Sequence, residues 1–311
     1  MLFFAAENFH LMANFKAEEA MARMMLSVFK SYPRLVSFAY PDEAETVYQL
    51  KSLPDIKDRV IVMTDSGAYS VLKKKAKINL EDYIQYLQDN WDVIDHAISL
   101  DRISDGKKSY DNYMAMRSEG LPVVPVYHLG TDLNYLYAYL DMADYVGISL
   151  HKDTDPKKQI PELDDLWEYH LTDRDRFPIA RCHLFGVSSV PVISRYAWYS
   201  FDNTAWWRVP GYGGLYLAES DNGIPDYNVI PTSLPVSSGS SHKSNYLQNQ
   251  SGDSRRYYQA RITSAALQFE LNHDLDDHMT RYAISLAHYY KVADRQQDWR
   301  RPFERRENIY G

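Results

Sequence analysis

Eight short apolar runs, rich in β-branched and aromatic residues, recur along this chain with amphipathic stretches between them. They fall at Leu2–Phe4, Leu35–Phe38, Val60–Met63, Ala97–Leu100, Val123–Tyr127, Tyr145–Leu150, Ile179–Phe185 and Tyr199–Phe201. Runs of this length read as buried strands. Between them, Leu80, Tyr83, Ile84, Leu87 and Trp91 share one helical face, with Asn79 placed as the cap. Leu133, Leu136, Tyr137 and Leu140 share another, behind Thr131 as a cap. Strands joined through helices are parallel, because a parallel pair needs a long crossover. Eight of them predict an α/β fold of the (β/α)8 TIM-barrel type, with a doubly wound open sheet as competitor. No G-x-G-x-x-G follows the first run and no G-x-x-x-x-G-K-[ST] occurs anywhere, so the phosphate cradles of nucleotide-binding sheets are not indicated.

At 311 residues the chain suits one large barrel, and 45% hydrophobic against 24% charged residues supplies a packed core. The expected organisation is a single domain over 1–311. Within it, 209–254 is rich in Gly, Pro, Ser and Asn and reads as an irregular insertion, while 255–311 reads as C-terminal helices that close the barrel. The opening residues lack a basic n-region and a full apolar h-region, and no apolar run approaches the roughly 20 residues of a membrane span. A cytoplasmic protein without membrane partners is expected. Cys182 is the one cysteine, which rules out internal disulfides and zinc sites built from several thiolates.

A formal charge of −8 argues against a generally basic nucleic-acid-binding surface. The charge is uneven, however. From Arg255 to Gly311 there are 10 basic and 8 acidic residues, a net of +2, which leaves −10 on the rest of the chain. Five arginines between Arg295 and Arg306 sharpen the contrast. They read either as a basic fringe or as a solvated terminal helix with a charged tail.

In a barrel, active-site groups project from the carboxyl ends of the strands. Three of the runs lead into aspartate: Asp65, Asp101 and Asp202. A single aspartate there is usually a cap or turn residue. Three on one rim make a converging set, and paired carboxylates can divide into a nucleophile and an acid/base, as in glycosyl transfer. Ser66 and Gly67 follow Asp65 and expose backbone N–H groups where the strand turns, with Gly67 letting a flat ligand approach closely.

Asp65–Ser–Gly–Ala–Tyr–Ser70 resembles the Asp-Ser-Gly-Gly-Tyr/Phe-Gln motif of tRNA-guanine transglycosylases. His183–Leu–Phe–Gly–Val187 is similar to that family's His-Tyr-Leu-Met-Gly-Val, and Ser200–Phe–Asp–Asn203 to its nucleophile-bearing Met-Phe-Asp-Cys. Leu100–Asp–Arg102 falls where the family has Phe-Asp-Glu, and Val146–Gly–Ile–Ser149 where it has Gly-Gly-Leu-Ala. The resemblance runs in order from Leu2 to Arg208. It implies a base exchange in which Asp202 attacks C1′ and expels guanine, and Asp65 serves as general acid and then base. Asp101 would accept from the N1–H and 2-amino edge of the base. Tyr69 and Phe185 would sandwich its plane. Gly147 and Ile148 would offer backbone polar groups. The co-substrate would be a free 7-deazaguanine, and no cofactor is implied.

The chain also departs from that pattern. The tRNA enzymes carry a Cys-x-Cys-x-x-Cys zinc site with a distant His, and no cysteine follows Cys182 here, so no metal is expected. This zinc-free form resembles the DNA-guanine transglycosylase branch (DpdA-type) of phages and bacterial islands, and implies DNA as partner with tRNA as the alternative. A non-catalytic nucleic-acid-binding subunit of the same superfamily is a further alternative. A plain glycoside hydrolase fits the carboxylates but leaves the Tyr69 and Phe185 pair unexplained. His128 stands where the family has Gln, and is either a reader of the base or a satisfied strand-end histidine.

Lys73, Lys74 and Lys75 either neutralise phosphates or begin a solvated helix, and Arg208, Arg255 and Arg256 are the other expected phosphate contacts. Trp206 and Trp207 are either a stacking pair or core. His273 and His278 are five apart, off the i,i+4 spacing of a helical metal pair, and His278 and His288 read as residues of a solvated or packed helix surface.

Overall fold

A computed structural model describes residues 1–6, 14–67, 78–218, 232–236, 247, 252–268, 277–296 and 298–306. Tyr69, Lys73, Lys74, Lys75 and His273 lie outside the described residues. Eight parallel strands form the frame: β1 (Leu2–Ala6), β2 (Tyr32–Ser37), β3 (Val60–Asp65), β4 (His96–Ala97), β5 (Val126–His128), β6 (Tyr145–Ser149), β7 (Arg181–Leu184) and β8 (Ser200–Asn203). Their order is β4-β3-β2-β1-β8-β7-β6-β5. A parallel bridge between Ile98 and Val124, with Val124 N–H on the Ala97 carbonyl at 2.8 Å, brings the two ends of that order together. Neighbours in sequence are therefore neighbours in the sheet, as in a TIM barrel and unlike a doubly wound sheet. Each of the eight expected runs overlaps one strand. The ends differ where it matters: β8 continues through Asp202, so that residue stands inside the strand.

Among the described residues seven helices lie on the crossovers: α1 (Phe15–Val28), α2 (Pro41–Tyr48), α3 (Leu80–Asp89), α4 (Gly106–Ser118), α5 (Leu133–Met142), α6 (Ile160–Tyr169) and α7 (Val190–Arg195). Asn79 caps α3 as expected, its side chain accepting from Glu81 N–H at 2.7 Å. At α5 the cap is Asp132 rather than Thr131. The Thr131 hydroxyl turns back to the His128 carbonyl at 2.7 Å, so it secures the strand end instead.

Strand alternation divides the core in two. Phe4, Ala6, Leu35, Met63, Ile98, Val124, Val126 and Tyr145 form one cluster, the barrel interior. Their alternates, including Phe3, Ala5, Val36, Val62, Ile148 and Phe201, join the helices in the larger outer layer. An arginine in that outer layer, Arg34, is fully buried with Glu18, at 3.2 Å, and lies against the Trp206 ring. Trp206 donates its indole N–H to the Ala6 carbonyl at 2.8 Å and Trp207 packs partly buried against the same layer, so the tryptophan pair is core.

After β8 the chain does not go straight to its closing helix. α8 (Ala205–Gly211) leads to an antiparallel pair, β9 (Gly214–Leu217) with β10 (Thr232–Pro235), then to α9 (Gly252–Gln268) and α10 (His278–Arg295). Part of the expected irregular insertion is thus a hairpin, held by a satellite core of Leu215, Leu217, Leu234, Ile262 and Ile284. α10 closes the barrel: Tyr289 and Tyr290 meet Phe3 of β1. It is covered by the hairpin and α9 on its other side, which explains why His288 is buried among its residues while His278, at the exposed N-terminus, is not.

Two of the C-terminal arginines are not a free fringe. Arg301 donates to the Ser194 and Tyr196 carbonyls, and Arg305 pairs with Asp165 and Glu168. Phe303 between them is buried against Tyr196 and Trp167. These groups staple the tail to α6 and α7. Among the described residues, no helix is long and apolar enough to cross a membrane.

Candidate active site

The carboxyl ends of β3, β7 and β8, with the turn after β4, bring the three expected aspartates to one rim. Asp65 ends β3 half-buried, and its Oδ1 accepts from Gly67 N–H at 3.0 Å. Ser37, next to it on β2, also hydrogen-bonds the carboxyl. Burial first, and then the negative charges of Asp202 and Asp101, push the Asp65 carboxyl up to about 7. The tight turn depends on Gly67. Its φ of +73° favours glycine, and a Cβ there would collide with Ser37 Oγ and with Ala39 Cβ at 2.5 Å. Ser66 beside it is buried, so the two residues shape the Asp65 corner, and Gly67 hydrogen-bonds it.

Asp101 lies in the turn between β4 and α4. That turn is held from below, where buried Asn112 donates to the Leu100 carbonyl at 2.9 Å and Arg102 N–H donates to Ser109 Oγ at 2.8 Å. His128, at the end of β5, meets Asp101 Oδ2 through Nε2 at 2.8 Å. Of the two readings, the satisfied histidine fits, with a consequence for the site. His128 braces one oxygen of Asp101 and leaves Oδ1 without a partner among the described residues.

Asp202 is held through one oxygen as well. Gly186 N–H donates to Oδ1 at 2.9 Å and His183 Nε2 approaches the same atom at 3.2 Å. Oδ2 has no partner among the described residues. Behind the imidazole, Nδ1 meets Ser200 Oγ at 2.6 Å, and Ser200 Oγ meets the Tyr145 hydroxyl at 2.6 Å. Alternation places all of these inside: His183 and Phe185 point the same way along β7, as Ser200 and Asp202 do along β8. Sequence reasoning matched His183 and Ser200 to motifs but gave them no role, and Tyr145 and Ser37 had none. The signal was the period-two alternation itself, which puts His183 in step with Phe185 and Ser200 in step with Asp202.

Phe185 lies edge-on to His183, with ring centroids 4.4 Å apart. Its ring also covers Gly147, where an added Cβ would stand 3.0 Å from Phe185 Cζ and closer still to Cε2. The bare backbone at Gly147 is what lets the ring come this close to the wall. Its own N–H is committed to the Pro125 carbonyl at 2.8 Å, and the Ile148 carbonyl accepts from Phe185 N–H at 3.1 Å. The Ile148 side chain points to the outer layer.

Beside Asp202 opens a cleft of about 360 Å³, lined by Gly186, Ser188, Thr204, Arg208, Tyr212 and residues of the hairpin. Arg208 is exposed at its side and forms no ion pair among the described residues. Arg255 and Arg256 stand exposed on α9, line no part of this cleft, and Arg256 pairs with Asp253. Among the described residues no group of three or more His, Cys, Asp or Glu gathers to hold a metal ion.

No family model matches the chain, and no curated protein matches it. Among solved structures, a mutant tryptophan synthase α-subunit from the hyperthermophile Pyrococcus furiosus is similar over 68% of this chain and 89% of its own, at 13% identity and a TM-score of 0.40. The barrel assignment rests on the strand order of this chain itself.

Proposed function

We propose that this protein is a guanine transglycosylase that exchanges guanine in DNA for a free 7-deazaguanine, such as the 7-cyano form, through a covalent aspartyl-glycosyl intermediate. One observation carries the reading: a carboxyl held near 7, at Asp65, shares a rim with a carboxylate clamped at one oxygen, at Asp202. Two carboxyl groups made chemically unlike in this way suit an acid/base and a nucleophile. In the first half-reaction Asp202 Oδ2 forms a bond to C1′ as the C1′–N9 bond breaks. The electron pair goes to the departing guanine, which takes its proton from Asp65. In the second half-reaction Asp65 receives the N9 proton of the incoming base, and N9 displaces Asp202 from C1′. A carboxyl titrating near neutrality can do both.

Asp101, braced by His128, offers Oδ1 to the N1–H and 2-amino edge of guanine, which presents donors only there. Phe185, packed against Gly147, supplies one face for the base. The nucleotide must leave its stack to reach such a pocket. The cleft past Gly186 then receives the neighbouring backbone, with Arg208 as a phosphate contact. The choice of DNA over tRNA rests on the lack of cysteines after Cys182 and hence of the tRNA enzymes' zinc site.

Incubation with labelled guanine and, separately, DNA and tRNA tests the proposal directly. Label is expected in DNA, and Asp202→Ala is expected to abolish incorporation. Label in tRNA alone would reassign the substrate. Tight nucleic-acid binding without exchange on either would make the protein a non-catalytic binding subunit and defeat the reading.

A further inference from the structure

The interior of the barrel holds a buried hydrogen-bond chain that ends on Asp202, and three of its members have no part in the reaction above: Tyr145, Ser200 and His183. Its three links measure 2.6, 2.6 and 3.2 Å. His183 and Ser200 are fully buried, and Phe4 and Phe185 pack edge-on against the imidazole. The imidazole is held by these rings and by a partner at each nitrogen, and its tautomer follows from the protons those partners carry.

We infer that His183 is a positioning residue that carries its proton on Nε2 and donates it to Asp202 Oδ1, with Ser200 and Tyr145 enforcing that tautomer. This deepens the reading above and rests on it for the identity of the reaction, though not for the geometry. A serine hydroxyl has one proton, and Ser200 has two partners to give it to, Tyr145 and His183 Nδ1. If Nδ1 carried the hydrogen, the bare Nε2 lone pair would face an Asp202 oxygen that already accepts from Gly186. Ser200 would then have to donate to Tyr145, whose own proton would need another acceptor. Among the described residues Ser200 Oγ is the one hydrogen-bond partner of the Tyr145 hydroxyl, so that proton goes into the chain instead. The sequence Tyr145 to Ser200 to Nδ1, and Nε2–H to Oδ1, satisfies every link.

The consequence falls on the second half-reaction. When the C1′–Oδ2 bond breaks, its electron pair returns to the Asp202 carboxyl and spreads onto Oδ1. There the His183 Nε2–H and the Gly186 N–H already point, arranged as donors are around a developing oxyanion. Oδ1 is the oxygen that receives the charge and Oδ2 is the oxygen that bonds to the sugar. His183 touches neither base nor sugar in this account. It acts through Asp202.

The experiment combines a spectrum with kinetics. In the full chain labelled with ¹⁵N-histidine, the His183 ring is expected as the neutral Nε2–H tautomer, and Ser200→Ala is expected to mix in the other tautomer. A wild-type spectrum showing Nδ1–H with bare Nε2, or a doubly protonated ring at neutral pH, overturns the inference whether or not any base is exchanged. Kinetically, His183→Leu is expected to lower kcat for base exchange roughly 100- to 1,000-fold, the loss of one oxyanion donor, with KM for the free base little changed. His183→Gln, which can place an N–H near the Nε2 position, is expected to recover part of that loss. Full activity in His183→Leu would refute the positioning role and leave the transglycosylase reading standing. An Nε2–H tautomer in a protein that exchanges no base would do the reverse. If His183→Leu fails to fold, the wild-type and Ser200→Ala spectra still decide.

Discussion

Replacing Asp65 by asparagine keeps the size of the side chain and an oxygen for Gly67 N–H, and removes the charge. In the folded protein this carboxyl titrates near 7 instead of at its ordinary 3.8, because burial and the charges of Asp202 and Asp101 disfavour its ionisation. Between those two values the unfolded chain has released the proton and the folded chain has kept it. Stability is therefore lost as pH rises through that window, the reverse of a salt-bridged aspartate. At about 1.4 kcal/mol per unit, the cost is about 1.5 kcal/mol at pH 5 and about 4 kcal/mol at pH 8. Asp65→Asn lacks this cost. Its stability relative to wild type is expected to rise by about 2.5 kcal/mol from pH 5 to pH 8, whatever the difference at pH 5. Urea unfolding of both proteins at the two pH values, followed by tryptophan fluorescence, measures the change. A difference that stays constant across the range would mean that Asp65 is an ordinary carboxyl, and the acid/base assignment would lose its basis. Asp202→Asn by itself supplies an internal control. With that like charge gone, burial and the charge of Asp101 still act on Asp65, and the window should narrow from above.

Further outcomes follow from the same geometry. Arg208→Ala should weaken DNA binding about equally across sequences and lower the slope of log affinity against log salt by about 1, measured by fluorescence anisotropy; an unchanged slope would remove Arg208 from the phosphate path. Gly147→Ala should drive the Phe185 ring off the wall, raising KM for the free base more than tenfold while costing about 1–3 kcal/mol of stability; an unaltered KM would show that the ring is no part of the base pocket.

Much of this arrangement was legible before folding was considered. Strand runs are short, apolar and β-branched, so their number and spacing announce eight parallel strands, and each was found. Asp65, Asp101 and Asp202 were legible because strand ends in a barrel share a rim. The strand bounds were less so, since β8 runs through Asp202 and β4 is cut to His96–Ala97. Helix caps are local contests between adjacent residues, which is why Asp132 displaced Thr131. The C-terminal arginines misled for a different reason. Linear charge density says nothing about partners far along the chain, and Arg305 finds Asp165 and Glu168 about 140 residues away.

The amino-acid sequence by itself determined the repeated strand and helix pattern, the inward period of each strand, and the carboxylates that end three of them. These are properties of neighbours along the chain, governed by propensity, alternation and turn chemistry. Only the tertiary structure decided what each carboxylate is. Asp65 owes its raised pKa to burial and to Asp202, 137 residues away; Asp101 owes its bracing to His128; Asp202 owes its clamped oxygen to Gly186 and His183. A charge responds to the medium and to the other charges around it, and both are set by closure of the barrel.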